Sequence, residues 1–373
     1  ALVHDFLTQI GGAERVLEEL HGIFPQAPVY TIVYDRQKTE RRYEDWKIKT
    51  SWLQYLPGGV KRYKWFLALM PLAVTSWNFR NYDLIFSDSS AFVKGVKSAA
   101  GQPHICYCHT PTRYLWSDRE KYVSSLPYPF FVKILLRPIL AWLKKWDLKA
   151  ATRPSVLIAN SQEVKSRIKR FYGRDAPVLY PPVNTDFFDL PKNPPSRSFF
   201  LTVGRMEPYK KIEIALEACS RLGLPLKIVG TGSQLAKLKA RFGRSAEFLG
   251  RVSDEALKAL YQNAKALIFP ALEDAGMAVV EAMACGTPVL AYGAGGATEF
   301  VITGITGELF GEQSSADLAK TLMTFSQTKY SSMVLRERAL LFSRVRFREK
   351  ILKIVYESQK ARSTQLAETI SKM

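Results

Sequence analysis

The sequence predicts an α/β protein of two doubly wound domains, and three observations carry that prediction. Short apolar runs alternate with helix-period segments almost from end to end, a proline-rich break falls near the middle, and 373 residues exceed what one hydrophobic core usually serves. Strand-sized runs lie at Leu84–Ser87, His104–Cys108, Val156–Asn160, Val178–Pro181, Phe199–Val203, Leu226–Val229, Ala266–Phe269 and Pro288–Ala291. Ala1 to Asp5 reads as the tail of a further short buried strand. Helical patterns occupy Gly12–Ile23, Glu163–Tyr172, Ile212–Leu222, Ser233–Phe242, Asp254–Asn263, Met277–Cys285 and Ser315–Thr324.

The break lies at 187–198, where Pro191, Pro194 and Pro195 interrupt any period and mark a linker. It divides the chain into a first domain over 1–186 and a second over 199–340, with a basic helical segment at 341–373 expected to pack back on the first. Facing doubly wound domains take ligand at the carboxyl ends of their strands. Chemistry is therefore expected on strand-following loops.

Composition narrows the partners. With 53 Lys and Arg against 34 Asp and Glu, the formal charge is +19, which calls for a negatively charged partner such as nucleic acid, an anionic membrane or phosphorylated ligands. Four cysteines in so long a chain form no disulfide framework and fit a reducing compartment. No run reaches the roughly 20 apolar residues of a spanning helix. The nearest, Tyr128 to Leu143, is interrupted by Lys133, Arg137 and Pro138, so the expectation is a soluble or membrane-peripheral chain. Lys61 to Met70, with Lys64 and Trp65, and Tyr128 to Trp146, with Lys133, Arg137 and Lys144 on one helical face, combine cations with large apolar side chains. That suits a helix lying among anionic headgroups, and equally a core helix with a solvated basic edge. No nucleic-acid motif accompanies it.

The strongest chemical signal runs from Phe269 to Val289. A strand ends near Pro270, a loop carries Glu273 and Gly276, and a helix opens near Met277 and ends at Gly286. Its free N–H groups and positive dipole suit a phosphate. Glu281, just over one turn inside, would reach a ribose attached to that phosphate. Spacing alone also admits Glu273 as a helix cap and Glu281 as a solvated carboxylate. Arg205 and Lys210, in Val203-Gly204-Arg205-Met206-Glu207-Pro208-Tyr209-Lys210-Lys211, offer a fork and a point charge for a diphosphate, or are surface cations beside a turn. Gly230-Thr231-Gly232 and Gly11-Gly12 open further strand-to-helix turns. Cys106, Cys108 and His109 fall short of the four ligands of a zinc site, so alternating core cysteines fit better, with His109 closing the strand.

The Phe269–Val289 segment resembles the Glu-x7-Glu signature of glycosyltransferase family 4, retaining GT-B enzymes that include many bacterial mannosyltransferases. The following Ala-Met-Ala-x-Gly-x-Pro-Val run and the His109-Thr110-Pro111-Thr112-Arg113-Tyr114 stretch agree with it. The resemblance implies the GT-B fold, two Rossmann-like domains facing across a cleft, and the following roles. His109 and Glu273 belong to the catalytic centre; Arg205, Lys210, Gly12, Gly276 and Met277 to the donor diphosphate; Glu281 and Gly230 to the ribose and base; Glu273, Asp274 and Ala275 to the donor sugar. It further implies retention of configuration, a GDP-mannose donor and a membrane-associated, lipid-linked glycan acceptor at the inner face of the cell membrane. The absence of Asp-x-Asp, together with Arg205, Lys210 and the helix dipole, predicts transfer without metal or other cofactor. Ala275 stands where the family usually has Phe, and Ala294 where close relatives often carry Arg, which bears on donor identity. Rival readings are a nucleotide-sugar epimerase on the same fold and an inactive basic protein binding nucleic acid or membrane.

Overall fold

A computed structural model describes residues 1–117, 123, 130–193 and 195–371. Tyr128 and Pro129 of the expected interfacial segment, Pro194 of the expected linker and Met373 lie outside the described residues. The chain forms two compact units, one of Ala1–Tyr180 with Phe347–Met373 and one of Pro181–Arg346. Residues 187–198 thus fall inside the second unit, where Phe188 is buried and packs edge-on against Tyr261.

Each unit holds a six-stranded sheet whose strand pairs are parallel. In the first, β1 (Leu2–Leu7), β2 (Val29–Tyr34), β3 (Ile48–Thr50), β4 (Ile85–Ser89), β5 (His104–Cys108) and β6 (Val156–Ala159) lie in the order β3-β2-β1-β4-β5-β6. In the second, β7 (Phe199–Val203), β8 (Leu226–Val229), β9 (Ala246–Gly250), β10 (Ala264–Phe269), β11 (Val289–Tyr292) and β12 (Gly307–Phe310) lie in the order β12-β11-β10-β7-β8-β9. Helices cover both faces, so the central strands are buried on both sides and read as apolar runs without alternation.

The helices of the first unit are α1 (Gly12–Ile23), α2 (Met70–Thr75), α3 (Phe130–Ala150) and α4 (Gln162–Tyr172). Those of the second are α5 (Ile212–Arg221), α6 (Leu235–Phe242), α7 (Asp254–Asn263), α8 (Met277–Ala284), α9 (Ala297–Phe300), α10 (Ser315–Thr324) and α11 (Ser332–Leu340). Serine caps explain several sharp starts: Ser161, Ser253 and Ser314 accept from the backbone N–H three residues on, satisfying a donor that the helix itself cannot. The last helix, α12 (Arg344–Ser371), enters the first unit at Phe347. There Phe347, Ile351 and Val355 join Leu2, Val16, Leu20 and Ile105 in one core, each full burial contributing roughly 1.5–3 kcal/mol. Arg348 pairs with the buried carboxylate of Glu19 at 2.8 Å.

Some expectations are corrected. Val178–Pro181 is no strand: Val178 makes a single parallel bridge to Ala159, and Pro177, Pro181 and Pro182 have no N–H to extend a ladder. β2, β3, β9 and β12 went unread. β9 and β12 are short edge strands of mixed polarity, whereas the run Val29-Tyr30-Thr31-Ile32-Val33-Tyr34 carried the signal plainly. Among the described residues no helix is long and apolar enough to cross a membrane.

Candidate active site

In the second unit, β10, β7 and β8 are neighbours, and their carboxyl ends launch the three loops that carry the expected donor residues. Loop order in space is set by backbone bonds. Gly204 N–H donates to Val229 O and Met206 N–H to Thr231 O, lacing the turn after β7 to the turn after β8. Gly230 is required there: its φ is +135°, and a Cβ would stand 2.0 Å from Gly204 O.

Lys210 ends the short turn Pro208–Lys210, and its ammonium forms an ion pair with the carboxylate of Glu273 on the loop after β10. Both side chains remain partly accessible. Arg205 Nη2 donates to Tyr209 Oη at 3.0 Å. Arg205, Lys210, Gly230 and Glu273 thus stand on loops at one end of one sheet, and Lys210 and Glu273 are in contact. Gly276 caps α8, packed so closely on Phe269 and Val279 that a Cβ would lie 3.1–3.2 Å from them. Met277 begins the helix with partial exposure, Ala275 is likewise half-buried, and Asp274 is buried.

Glu281 is not the solvated carboxylate that spacing admitted. It is buried on α8 and accepts a 2.9 Å hydrogen bond from the buried Tyr261 hydroxyl. One element was missed: Gly295 and Gly296. Gly296 N–H donates to Glu273 O at 2.7 Å, and a Cβ at Gly296 would stand 2.2 Å from Asp274 O. The glycines thus hold the Glu273 loop by close backbone approach. Their doublet beside Ala294 was the available signal.

In the first unit, His109 closes β5 where its neighbour β4 ends. His109 Nε2 lies 2.5 Å from Asp88 Oδ1, and Asp88 Oδ2 lies 2.8 Å from His4 Nδ1. His4 Nε2 is 3.8 Å from Glu14 Oε1, while Glu14 Oε2 is buried without a hydrogen-bond partner. Parallel pairing places His4 opposite Asp88, so the two strands deliver the pair directly. Burial opposes charge on His4, but the hydrogen bond to Asp88 and the nearby Glu14 carboxylate outweigh it and raise its pKa to about 10. Burial alone would raise Asp88, yet His109 and then His4 hold it below the usual carboxylate range. Asp88 was not singled out in the sequence, although it stands at the end of a recognised strand run.

Asp5, the other residue of the His4-Asp5 pair, has a structural role. Its carboxylate accepts from the backbone N–H groups of Ser90, Ala91, Phe92 and Val93. A second buried network secures the loop after His109. Asp147 of α3 pairs with Lys94 at 2.6 Å and accepts from Thr112, Trp116 and Tyr172. Cys106 and Cys108 are fully buried in β5, as core residues. Gly12 is exposed at the start of α1.

The expected membrane face divides. Lys64 is exposed, and Trp65 is 64% exposed beneath the Arg62 guanidinium at 4.9 Å. On α3, Leu140, Leu143, Asp147 and Ala150 face the core, while Arg137, Trp142, Lys145, Leu148 and Lys149 are exposed and Lys133 is half-buried. Lys144 lies on the same face of α3 as Lys133 and Arg137, and its ammonium rests 4.4 Å over the Trp116 ring.

Residues 10–187 match the family model described as Glycosyltransferase Family 4, and residues 184–340 the model described as Glycosyl transferases group 1. Two parallel six-stranded sheets in two Rossmann-like units, with these domains in this order, define a GT-B glycosyltransferase type. The two matches together span residues 10–340, so both units of the chain resemble family-4-type glycosyltransferases.

Among its relatives, an uncharacterised glycosyltransferase of Methanocaldococcus jannaschii is 27% identical over 200 residues, 52% of this chain and 56% of that protein. A D-inositol 3-phosphate glycosyltransferase of Streptomyces bingchenggensis is 32% identical over 203 residues, 46% of this chain and 45% of that protein. The chain spans about half the length of the curated relatives it matches. The crystal structure of Anabaena HepE in complex with UDP shares the fold, with a TM-score of 0.70 at 20% identity, covering 95% of this chain and 99% of that one.

Proposed function

We propose that this protein transfers a sugar from a nucleoside diphosphate donor to an acceptor hydroxyl, with retention of anomeric configuration. One observation carries the reading. Lys210, Arg205, Gly230 and Glu273 stand on loops at the carboxyl ends of three adjacent strands. The N-terminus of α8 follows the same loop as Glu273, and its dipole favours an anion. A diphosphate departing as an anion is stabilised by two cations and helix N–H groups, a division of labour that needs no metal ion. Glu273 takes the sugar hydroxyls. Glu281, oriented by Tyr261, takes the ribose. His109, held by Asp88, positions groups at the reacting centre.

Two donors compete. The His-Thr-Pro stretch and the Glu273-Asp274 pair favour GDP-mannose, whereas the HepE structure is a complex with UDP. For the acceptor we favour a lipid-linked glycan at the cytoplasmic face of an anionic membrane. Its support is the +19 charge and the exposed Trp65 with Lys64 and Arg62 beside it.

A thermal-shift screen across GDP-, UDP-, ADP- and dTDP-sugars tests the donor site, with Glu281→Gln as control. Stabilisation by one nucleotide sugar, reduced in the variant, is expected. If no donor stabilises the parent, the assignment is wrong. Product analysis with a labelled donor separates transfer from epimerisation, because only transfer requires an acceptor. Sedimentation with anionic against neutral vesicles, and with oligonucleotides at matched salt, tests the acceptor side. Preference for oligonucleotides would overturn it.

A further inference from the structure

The cation expected to hold a diphosphate and the carboxylate expected to hold a sugar are bonded to each other. Lys210 and Glu273 lie 63 residues apart in sequence, on the turn after β7 and the loop after β10, and their charged ends meet. Neither side chain is sealed: 16% of Lys210 and 18% of Glu273 remain accessible, so a ligand can reach the pair. The Glu273 backbone is clamped by Gly296 N–H, and a Cβ at Gly295 would stand 2.7 Å from Glu273 O. The carboxylate therefore has little room to retreat through movement of its own loop.

We infer that the Lys210–Glu273 ion pair is a specificity latch that favours a nucleoside diphosphate carrying its sugar over the free nucleoside diphosphate. The inference rests on the donor-site reading above and adds what the pair does within it. Glu273 takes one of the three N–H donors of Lys210, so a diphosphate brought onto the ammonium competes with Glu273 for its charge. When the incoming nucleotide carries a sugar, its hydroxyls donate to the released carboxylate, and both charged groups leave the exchange with partners. When it carries none, Glu273 faces an additional phosphate charge with no donor in reach. A partly buried carboxylate left beside an anion costs more than one left in water. Recapture of Lys210 by Glu273 then helps expel the spent nucleotide.

Isothermal titration calorimetry with GDP, UDP and ADP, and with the matching nucleotide sugars, tests this on the parent, Glu273→Gln, Lys210→Met and the double variant. Glu273→Gln keeps size and removes charge. It should bind the preferred free nucleoside diphosphate about three- to fivefold more tightly than the parent, the scale of a partly exposed ion pair. The margin by which the nucleotide sugar outcompetes the free nucleotide should shrink. Lys210→Met should weaken both ligands, and the gain from Glu273→Gln should be smaller in that background. Unchanged or weaker nucleoside diphosphate binding by a folded Glu273→Gln would overturn the latch, as would a full gain persisting without Lys210. A parent that binds neither form would overturn the donor-site reading and the latch with it.

Discussion

Asp88 and His109 share a hydrogen bond of 2.5 Å, from imidazole Nε2 to carboxylate Oδ1. Ionised carboxylates only accept, so this contact keeps the proton on Nε2 and leaves Nδ1 of a neutral ring as the acceptor. The second Asp88 oxygen is taken by His4. One buried carboxylate thereby orients two rings from two neighbouring strands. Asp88→Asn should lower transfer by about 10²-fold or more, since the amide presents either face to Nε2 and no longer selects the tautomer. Steady-state rates across pH, with the His109 ring followed by nitrogen NMR, check this. A variant within threefold of the parent, with the ring tautomer unchanged, would exclude the role.

Two buried histidines give the first unit opposite pH limbs. The pKa of His4 is raised to about 10, so its stabilising contribution is full below the ordinary value of 6.5 and is lost as pH rises towards about 10. His104 is the converse. Burial first, then Arg153 and Arg174, lower its pKa to about 3, so it stabilises as a neutral ring above 6.5 and loses that contribution as pH falls towards 3. Urea midpoints should peak near neutrality and decline on both sides. His4→Gln should flatten only the alkaline limb; a slope unchanged in that variant would refute the assignment.

Removing the Asp147 carboxylate leaves the buried Lys94 ammonium without its paired charge, held only by the Ala91 carbonyl and the Thr112 hydroxyl among the bonds described. Lys94 and Asp147 are both essentially inaccessible, and Asp147 also anchors Thr112, Trp116 and Tyr172. Asp147→Ala should cost about 3–5 kcal/mol of unfolding free energy. Trp116 loses its indole partner in the variant, so fluorescence-monitored denaturation reports the loss directly. Stability within about 1 kcal/mol of the parent would contradict the network's importance.

Gly230→Ala tests the lacing of the β7 and β8 turns. Its added methyl meets Gly204 O at 2.0 Å in a backbone region that L residues rarely adopt. At least about 1–3 kcal/mol of strain should follow, together with loss of nucleotide binding, measured by melting temperature and calorimetry. Unaltered affinity would show that this turn does not shape the donor site.

Much was legible in the chain itself. Gly12–Ile23, His104–Cys108, Phe199–Val203, Leu226–Val229, Asp254–Asn263 and Ser315–Thr324 have the boundaries that periodicity and capping indicate, because those signals act within a few residues. The α/β class followed from their alternation, and the order of the loops after β7, β8 and β10 from motif spacing.

Tertiary structure decided what faces what. Nothing local distinguishes Asp88 from any other strand-end aspartate; it acquires its role because β1 and β5 flank β4 and bring His4 and His109 to its two oxygens. Likewise buried Glu281 accepts from Tyr261, the Lys144 ammonium lies over the Trp116 ring, and Glu273 meets Lys210 across adjacent strand ends. Helix and strand signals depend on neighbours in sequence, whereas the charge and tautomer of a side chain depend on neighbours in space. That is why the elements could be read along the chain and the polar pairs could not.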